Sequence, residues 1–182
     1  KTFFLDQLMK TMWKQEFDKI YVLSKTAQYQ TKIFGTWKGD IKYIEKWETD
    51  FFDKISQEAK EEKKKKKRLI VIDDMSAHMR EKLYATNIDE FSFIGRHDRI
   101  SVVWLAQKIT LFTPGFRQEC DAFILFREEN FSELRLLHRE WGFGNFDEFI
   151  IMLIENTEEK YSWIMLRNVG GTIKIFKLPP EK

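Results

Sequence analysis

The chain has 182 residues, 43% of them hydrophobic and 15% aromatic, enough to enclose a sizeable core as one compact domain. Cys120 is the single cysteine and there are three histidines, which excludes an intrachain disulfide framework, argues against a zinc site and points to a reducing compartment. A net charge of +2, from 31 basic and 29 acidic residues, excludes a globally basic nucleic-acid binder. No apolar run nears the roughly 20 residues that span a bilayer and no secretory signal opens the chain, so the expectation is a soluble protein without a membrane span.

The chain begins Lys1-Thr2 with no initiator Met, as a fragment with its upstream part absent would. From Phe3 to Lys14, the apolar residues Phe4, Leu5, Leu8, Met9 and Met12 have the spacing of an amphipathic helix. Lys19 to Lys25 (KIYVLSK) reads as a buried strand ending in polar residues. Between Thr26 and Lys67 the signal weakens: Gly35 and Gly39 interrupt its early part, and Ile41 to Lys60 is tolerably helical. The run KEEKKKKKR at 60–68 has two readings, a solvated helix end or loop and a local patch that neutralises DNA phosphates.

Arg68 to Met75, RLIVIDDM, is the stretch around which the rest is organised. Leu69, Ile70, Val71 and Ile72 do not alternate with polar residues, as expected of a strand covered on both faces in a parallel sheet. Asp73 and Asp74 follow at its carboxyl end, the edge where ligands bind in open α/β sheets. Two readings compete: acids that hold Mg²⁺ beside a nucleotide, and acids that cap the next helix. Further on, a helix is predicted around Asn87 to His97, a second apolar strand from Ser101 to Gln107, and a short helix from Pro114 through Cys120. Ala122 to Phe126 is a third buried strand. Helices are predicted over Phe131 to Trp141 and Phe146 to Asn156, and Tyr161 to Arg167 with Thr172 to Leu178 reads as a β-hairpin about Asn168-Val169-Gly170-Gly171. Strands alternating with helices imply an α/β sheet with right-handed crossovers and a C-terminal β-hairpin. With no repeat and no linker, residues 1–182 are expected to form a single domain.

Lys1, Thr2 and the helix after them have the form of the last two positions of a phosphate-binding loop, followed by its helix. In that arrangement Lys1 bridges the terminal phosphates of ATP, Thr2 binds Mg²⁺ through its hydroxyl and Asp73 holds the same ion. Asp74 is then free to orient or deprotonate the attacking water. Gln107, expected at the tip of the neighbouring strand, either hydrogen-bonds that water or the terminal phosphate, or is an ordinary polar residue at a strand end. The aromatic residues, Trp104 and Trp141 among them, are expected in the core, because they are not interleaved with a basic surface as a base-stacking platform requires.

Four local matches together resemble the genome-packaging ATPases of poxviruses, giant DNA viruses and virophages, a branch of the FtsK/HerA translocase superfamily. They are Lys1-Thr2 as the end of a Walker A loop, Leu69 to Met75 as Walker B, Gly95 to Gln107 (GRHDRISVVWLAQ), and Pro114 to Arg117 (PGFR). The resemblance covers the first three-quarters of the chain. It implies a RecA-like P-loop NTPase core, mainly parallel, with its first strand missing because the chain starts inside Walker A. It also implies an oligomeric, ring-forming motor that hydrolyses Mg²⁺-ATP to thread double-stranded DNA into a capsid at its portal vertex, in the host cytoplasm or in the virion. Such motors set an arginine of one subunit against the nucleotide of the next; Arg117 and Arg96 are the candidates, with Arg127 behind them. His97 either orders the Arg96 loop or is a structural histidine. Two departures stand out: the glycine-rich part of Walker A is missing, so the chain as given is expected to bind nucleotide poorly and to be inactive alone. Asp74 also stands where many relatives carry Glu. The alternatives are another DNA translocase, of plasmid or conjugation type, and an inactive RecA-like interaction subunit.

Overall fold

Leu69, Ile70, Val71 and Ile72 are fully buried in a strand, β3 (Arg68–Asp73), that has a parallel neighbour on each side. This is the environment an unbroken aliphatic run calls for. The computed structural model describes residues 2–11, 13, 16–26, 39–62, 65–75, 87–92, 95–160, 162–169 and 172–177. These fall into two compact units, Lys1–Gln107 with Leu111–Phe116, and Lys108–Thr110 with Arg117–Lys182.

In the first unit β1 (Lys19–Ser24), β2 (Asp40–Ile44), β3 and β4 (Ile100–Leu105) form a parallel sheet in the order β2-β1-β3-β4. Alternate residues define its faces. Ile20, Val22, Leu69 and Val71 on one face pack with Leu5 and Met9 of helix α1 (Thr2–Lys10), and Ile41, Tyr43, Val103 and Leu105 extend that layer. On the other face Tyr21 donates its hydroxyl to Glu58 of helix α2 (Phe51–Glu61) at 2.9 Å. Trp104, of the same parity, meets Trp47, Phe112 and Phe116 at ring distances of 5.5, 5.3 and 5.8 Å. Phe52 of α2 stacks on Phe91 at 4.4 Å. Helices and aromatic side chains thus cover both faces of the central strands, as the apolar runs require, and the aromatic residues named here serve the core.

Several elements of the first unit differ from the sequence expectation. Ile41 to Lys60 is not one helix: Asp40–Ile44 pairs as β2 along β1, and the helix begins only at Phe51. DIKYI is a half-exposed strand with β1 as its one neighbour among the described strands, so lysine and tyrosine are tolerated and its pattern lacks a clear period. Helix α1 ends at Lys10 rather than Lys14. Helical structure after Asn87 runs over residues 87–92, and residues 95–99 form turns that deliver Ile100 to β4.

In the second unit β5 (Ala122–Leu125), β6 (Ile164–Val169) and β7 (Thr172–Lys177) make an antiparallel sheet in that order. The hairpin is present, and its turn at Gly170-Gly171 lies outside the described residues. AFILF was expected as a buried strand; β5 is half-buried and pairs with the hairpin. Helix α3 (Pro114–Glu119), whose residues up to Phe116 belong to the first unit, starts with proline at its first position, and the Phe116 N–H donates to the Thr113 hydroxyl at 3.2 Å. Helices α4 (Phe131–Trp141) and α5 (Phe146–Thr157) follow, each capped by an asparagine, Asn130 and Asn145. Between them Gly142 donates its N–H to the His138 carbonyl at 2.9 Å, and a Cβ there would come within 2.4 Å of that oxygen, so only glycine fits.

Candidate functional site

Because β1, β3 and β4 are parallel and in register, their carboxyl ends form one edge. Ser24 of β1 sits opposite Asp73 of β3, and Asp73 opposite Leu105 of β4. Ser24 is buried, its Oγ lying 3.1 Å from Thr26 Oγ1 and accepting the Thr26 N–H at 3.2 Å. Asp73 is half-buried and Asp74 exposed. Asp74 has φ of +54°, a left-handed turn that Asp tolerates better than most residues, and it swings the chain out of the strand while Met75 returns to the core. Gln107 is exposed at the same edge, though not on the strand, which ends two residues earlier at Leu105.

Lys1 lies outside the described residues, and of Thr2 only the backbone, opening α1, is described. The carboxyl end of α1 leads within a few residues to Glu16 and Asp18, which bind Lys67 at the start of β3: Asp18 Oδ2 accepts the Lys67 N–H at 2.8 Å and Glu16 pairs with the ammonium. Lying on the sheet with that end at the amino edge, α1 points its amino end toward the carboxyl edge, where the acids are.

Arg96 is elsewhere. It is an exposed turn residue that precedes β4, and next to it the Arg68 N–H donates to the Arg99 carbonyl at 3.0 Å, which fixes this turn at the amino edge of the sheet. Gly95 is buried against the Phe91 ring, and its carbonyl accepts from the Asp98 and Ile100 N–H groups, closing the GRHDR turn. His97 is exposed on it. The structure therefore gathers Asp73, Asp74 and Gln107 at one edge and sets Arg96 at the other.

Arg117, in the second unit, is buried. Its Nε donates to Glu140 Oε2 at 2.6 Å and its Nη2 to Oε1 at 2.8 Å, and this guanidinium holds the Glu140 carboxyl below the usual carboxylate range. Arg127 is exposed and pairs with Glu129 at 2.9 Å.

The charge run divides. Arg68 is buried and donates to Glu62 at 2.6 Å, Lys66 pairs with Glu62 at 3.5 Å and Lys67, itself exposed, pairs with Glu16; Lys60 and Lys65 are exposed too. Lys63 and Lys64 lie outside the described residues. Glu62 and Glu58 also bind Lys19, at 2.5 Å each. Burial alone would push the Glu58 carboxyl up, but the hydrogen bonds from Lys19 and Tyr21 outweigh it and bring it down to about 2. Burial and the bond to Glu58 push the Tyr21 hydroxyl up to about 12. For Lys19, burial opposes the charge and the two glutamates overcome it, so its ammonium is held above its ordinary value. This network ties α2 to the amino edge of the sheet.

Three functional-looking polar residues are not marked by any sequence motif: Ser24, hidden at the end of an apolar strand of the first unit, and Glu133 and Glu140 on α4 of the second. Glu133 is buried and accepts the Thr110 N–H at 3.0 Å and the Thr110 hydroxyl at 2.6 Å. The only signal for Glu133 in sequence is its place three residues after Asn130, which reads as a helix cap.

Among the described residues no group of three or more His, Cys, Asp or Glu side chains gathers as a metal site, and no helix is long and apolar enough to cross a membrane. A nucleotide-bound Mg²⁺ needs fewer protein ligands, one or two carboxylates with water and phosphate oxygens completing the shell, and the Asp73-Asp74 edge fits that requirement.

Residues 1–130 match the sequence profile of the family described as Poxvirus A32 protein. A search of curated proteins returned no match. Among solved structures, the chain is similar to the genome packaging NTPase B204 from Sulfolobus turreted icosahedral virus 2 in complex with AMPPCP, at 20% identity and a TM-score of 0.64, covering 96% of this chain and 87% of that one. The same protein in complex with sulfate matches at 20% identity and a TM-score of 0.67, over 97% and 91% of the two chains. B204, the DNA-packaging ATPase from Sulfolobus turreted icosahedral virus, matches at 16% identity and a TM-score of 0.65, over 97% and 88%. At these identities the likeness is one of fold.

Proposed function

The chain belongs to the Poxvirus A32 protein family, and from that membership we propose that it is the ATP-hydrolysing subunit of a motor that packages double-stranded viral DNA. The observation that carries this reading is the acidic pair Asp73-Asp74, ending the central parallel strand opposite Ser24 and on the edge that also bears Gln107. Similar structures solved with AMPPCP, ATP-gammaS and AMP support a nucleotide as the ligand of that edge.

In the proposed site Lys1 binds the terminal phosphates, and the Thr2 hydroxyl and the Asp73 carboxylate would hold Mg²⁺. Mg²⁺, when bound, neutralises charge on the phosphates. Asp74, one residue further and turned out of the strand, accepts the proton of the attacking water. Gln107 donates its amide to the terminal phosphate or orients that water.

Arg96 is separated from Asp73 by the length of β3, about 20 Å at ~3.3 Å per residue, which is beyond the reach of an arginine side chain. It therefore serves no nucleotide on its own sheet edge and suits one bound to a neighbouring subunit, in a ring. Arg117 is bound through its guanidinium to Glu140, and it is the place of Arg96 at the amino edge that favours it for the role in trans. The basic run, through Lys60 and Lys65, grips DNA phosphates as the ring works at the capsid, at the assembly site in the host cytoplasm or in the virion.

The test is ATP hydrolysis by the full-length protein with and without duplex DNA, beside Asp73→Ala and Asp74→Asn. Hydrolysis should rise with duplex DNA and fall by about a hundredfold or more in each variant. An assembled wild-type oligomer that does not hydrolyse ATP would overturn the motor reading and leave an interaction subunit.

A further inference from the structure

Strands β1 and β3 run in parallel register, with Ile20 beside Leu69, Val22 beside Val71 and Ser24 beside Asp73. Side chains alternate across a sheet, so Ser24 falls on the face of Ile20 and Val22, and Asp73 on that of Leu69 and Val71. Both therefore belong to the face that packs against Leu5 and Met9 of α1. Paired strands stand about 4.8 Å apart, which makes Ser24 and Asp73 side-chain neighbours. On its other flank Asp73 meets Leu105, a side chain with nothing to donate.

Ser24 ends β1 fully buried, so its hydroxyl has to be satisfied inside the protein. A hydroxyl has one proton to give and two lone pairs to fill. The Thr26 N–H takes one lone pair of Ser24 Oγ at 3.2 Å, and Thr26 Oγ1 lies 3.1 Å from the same oxygen. If Ser24 gave its proton to Thr26, its second lone pair would face the Asp73 carboxylate, which when ionised only accepts. With Thr26 as the donor, both lone pairs are filled and the Ser24 proton is left for Asp73, a charge-assisted bond. The chemistry of the three groups selects one direction, from Thr26 to Ser24 to Asp73.

We propose that Ser24 is a positioning residue for Asp73: it donates to one carboxylate oxygen, and Thr26 holds Ser24 in the orientation for that bond. The proposal rests on the reading of Asp73 as a carboxylate that would hold Mg²⁺. With one oxygen bound to Ser24 and an apolar neighbour on the other flank, the carboxylate is held in one orientation and its second oxygen is left for the ion. Groups one step behind a metal ligand act in this way, and their loss lowers metal affinity about tenfold to a hundredfold. Ser24 acts through Asp73 and is assigned no contact with the ion or the nucleotide.

The experiment uses the full-length protein with Ser24→Ala, Thr26→Val, Asp73→Ala and the double variants that combine Asp73→Ala with each of the first two. Two quantities are measured: Mn²⁺ affinity with AMPPCP present, from the paramagnetic resonance of free Mn²⁺, and melting temperature in EDTA. Ser24→Ala should weaken Mn²⁺ binding about tenfold to a hundredfold. In the Asp73→Ala background the same change should alter it less than about twofold, because Ser24 has lost the group it acts through. A merely structural role would give equal losses in both backgrounds. Thr26→Val removes a hydroxyl at an exposed position but keeps the N–H, and should show a smaller loss of the same kind. In EDTA the melting shifts of Ser24→Ala and Asp73→Ala should not add in the double variant. If Ser24→Ala does not fold, Thr26→Val with Asp73→Ala decides by the same readings. Additive melting shifts overturn the bond between Ser24 and Asp73, whether or not the protein binds metal. Coupled melting with wild-type Mn²⁺ affinity in Ser24→Ala overturns the positioning role. A wild-type protein that binds no Mn²⁺ with AMPPCP overturns the functional reading and this role with it, and leaves the melting cycle to judge the bond alone.

Discussion

Arg117 and Glu140 meet as a two-pronged pair, Nε to Oε2 at 2.6 Å and Nη2 to Oε1 at 2.8 Å, with only 6% and 17% of their side chains exposed. Planar fork against planar carboxylate is the geometry in which arginine cannot be replaced by lysine without losing a bond. Glu140→Ala would leave a buried guanidinium without its anion and should cost about 3 to 5 kcal/mol in urea unfolding. Replacing both partners by apolar residues, as in Arg117→Met with Glu140→Leu, should recover most of that loss. An unaltered unfolding midpoint in Glu140→Ala would show that the pair does not hold α3 to α4.

Acid should weaken the first unit through Glu58 and Glu62. Glu58 titrates at about 2 in the folded chain against 4.5 ordinarily, and Glu62 is also lowered, chiefly by its hydrogen bond from Lys19. A lowered folded value means the unfolded chain binds protons first, so the stability these groups confer is complete above about 4.5 and is lost as the pH falls toward 2. Tyr21 acts at the other end. With its folded value raised to about 12 from 10, its contribution is complete below 10 and lost as the pH rises through 12. Urea midpoints measured across pH 2 to 5 should slope less steeply in Glu58→Gln than in wild type, and equal slopes would exclude Glu58 as a source of the acid sensitivity.

Asp74 combines a proposed chemical task with a φ of +54°. Asp74→Asn keeps a residue that accepts this turn, so melting should hardly move while hydrolysis collapses. Asp74→Val places a β-branched residue in the left-handed region and should cost about 1 to 2 kcal/mol of stability as well. Equal stability of the Asn and Val variants would count against the strained turn, whatever happens to activity.

Lys60, Lys65 and Lys67 are exposed in the run, and of these Lys67 is paired with Glu16. If the run neutralises phosphates, Lys65→Gln should weaken duplex binding for every sequence alike and reduce the slope of log affinity against log salt by about 1. Arg68, buried against Glu62, should not report on DNA in this way; Arg68→Ala should instead unfold the protein more readily, leaving Glu62 without that partner. A salt slope identical in wild type and Lys65→Gln would remove this lysine from the DNA contact.

The residue pattern by itself determined the strands that are covered on both faces and the helices with a strong period. RLIVID and KIYVLS carry enough consecutive apolar side chains that only a buried strand satisfies them, ISVVWL forms the half-buried strand β4 beside them, and FSELRLLHREW and FDEFIIMLIENT have cap residues at their starts. Hence the acidic pair could be placed at a carboxyl edge before any coordinates were known. DIKYI could not be recognised, because a half-exposed strand needs no pattern of its own once β1 offers it a ladder of hydrogen bonds. Tertiary structure alone decided three further matters. Parallel register set Ser24 beside Asp73 and put Arg96 at the far edge of the sheet. Burial turned Arg117 and Arg68 from surface cations into interior partners of Glu140 and Glu62. The third was the direction of Glu133, whose place after Asn130 reads as a cap until Glu128 takes the N–H and Thr110 takes the carboxylate. The Arg117–Glu140 and Thr110–Glu133 contacts join positions 23 residues apart in sequence, and no local pattern records which donor comes within reach.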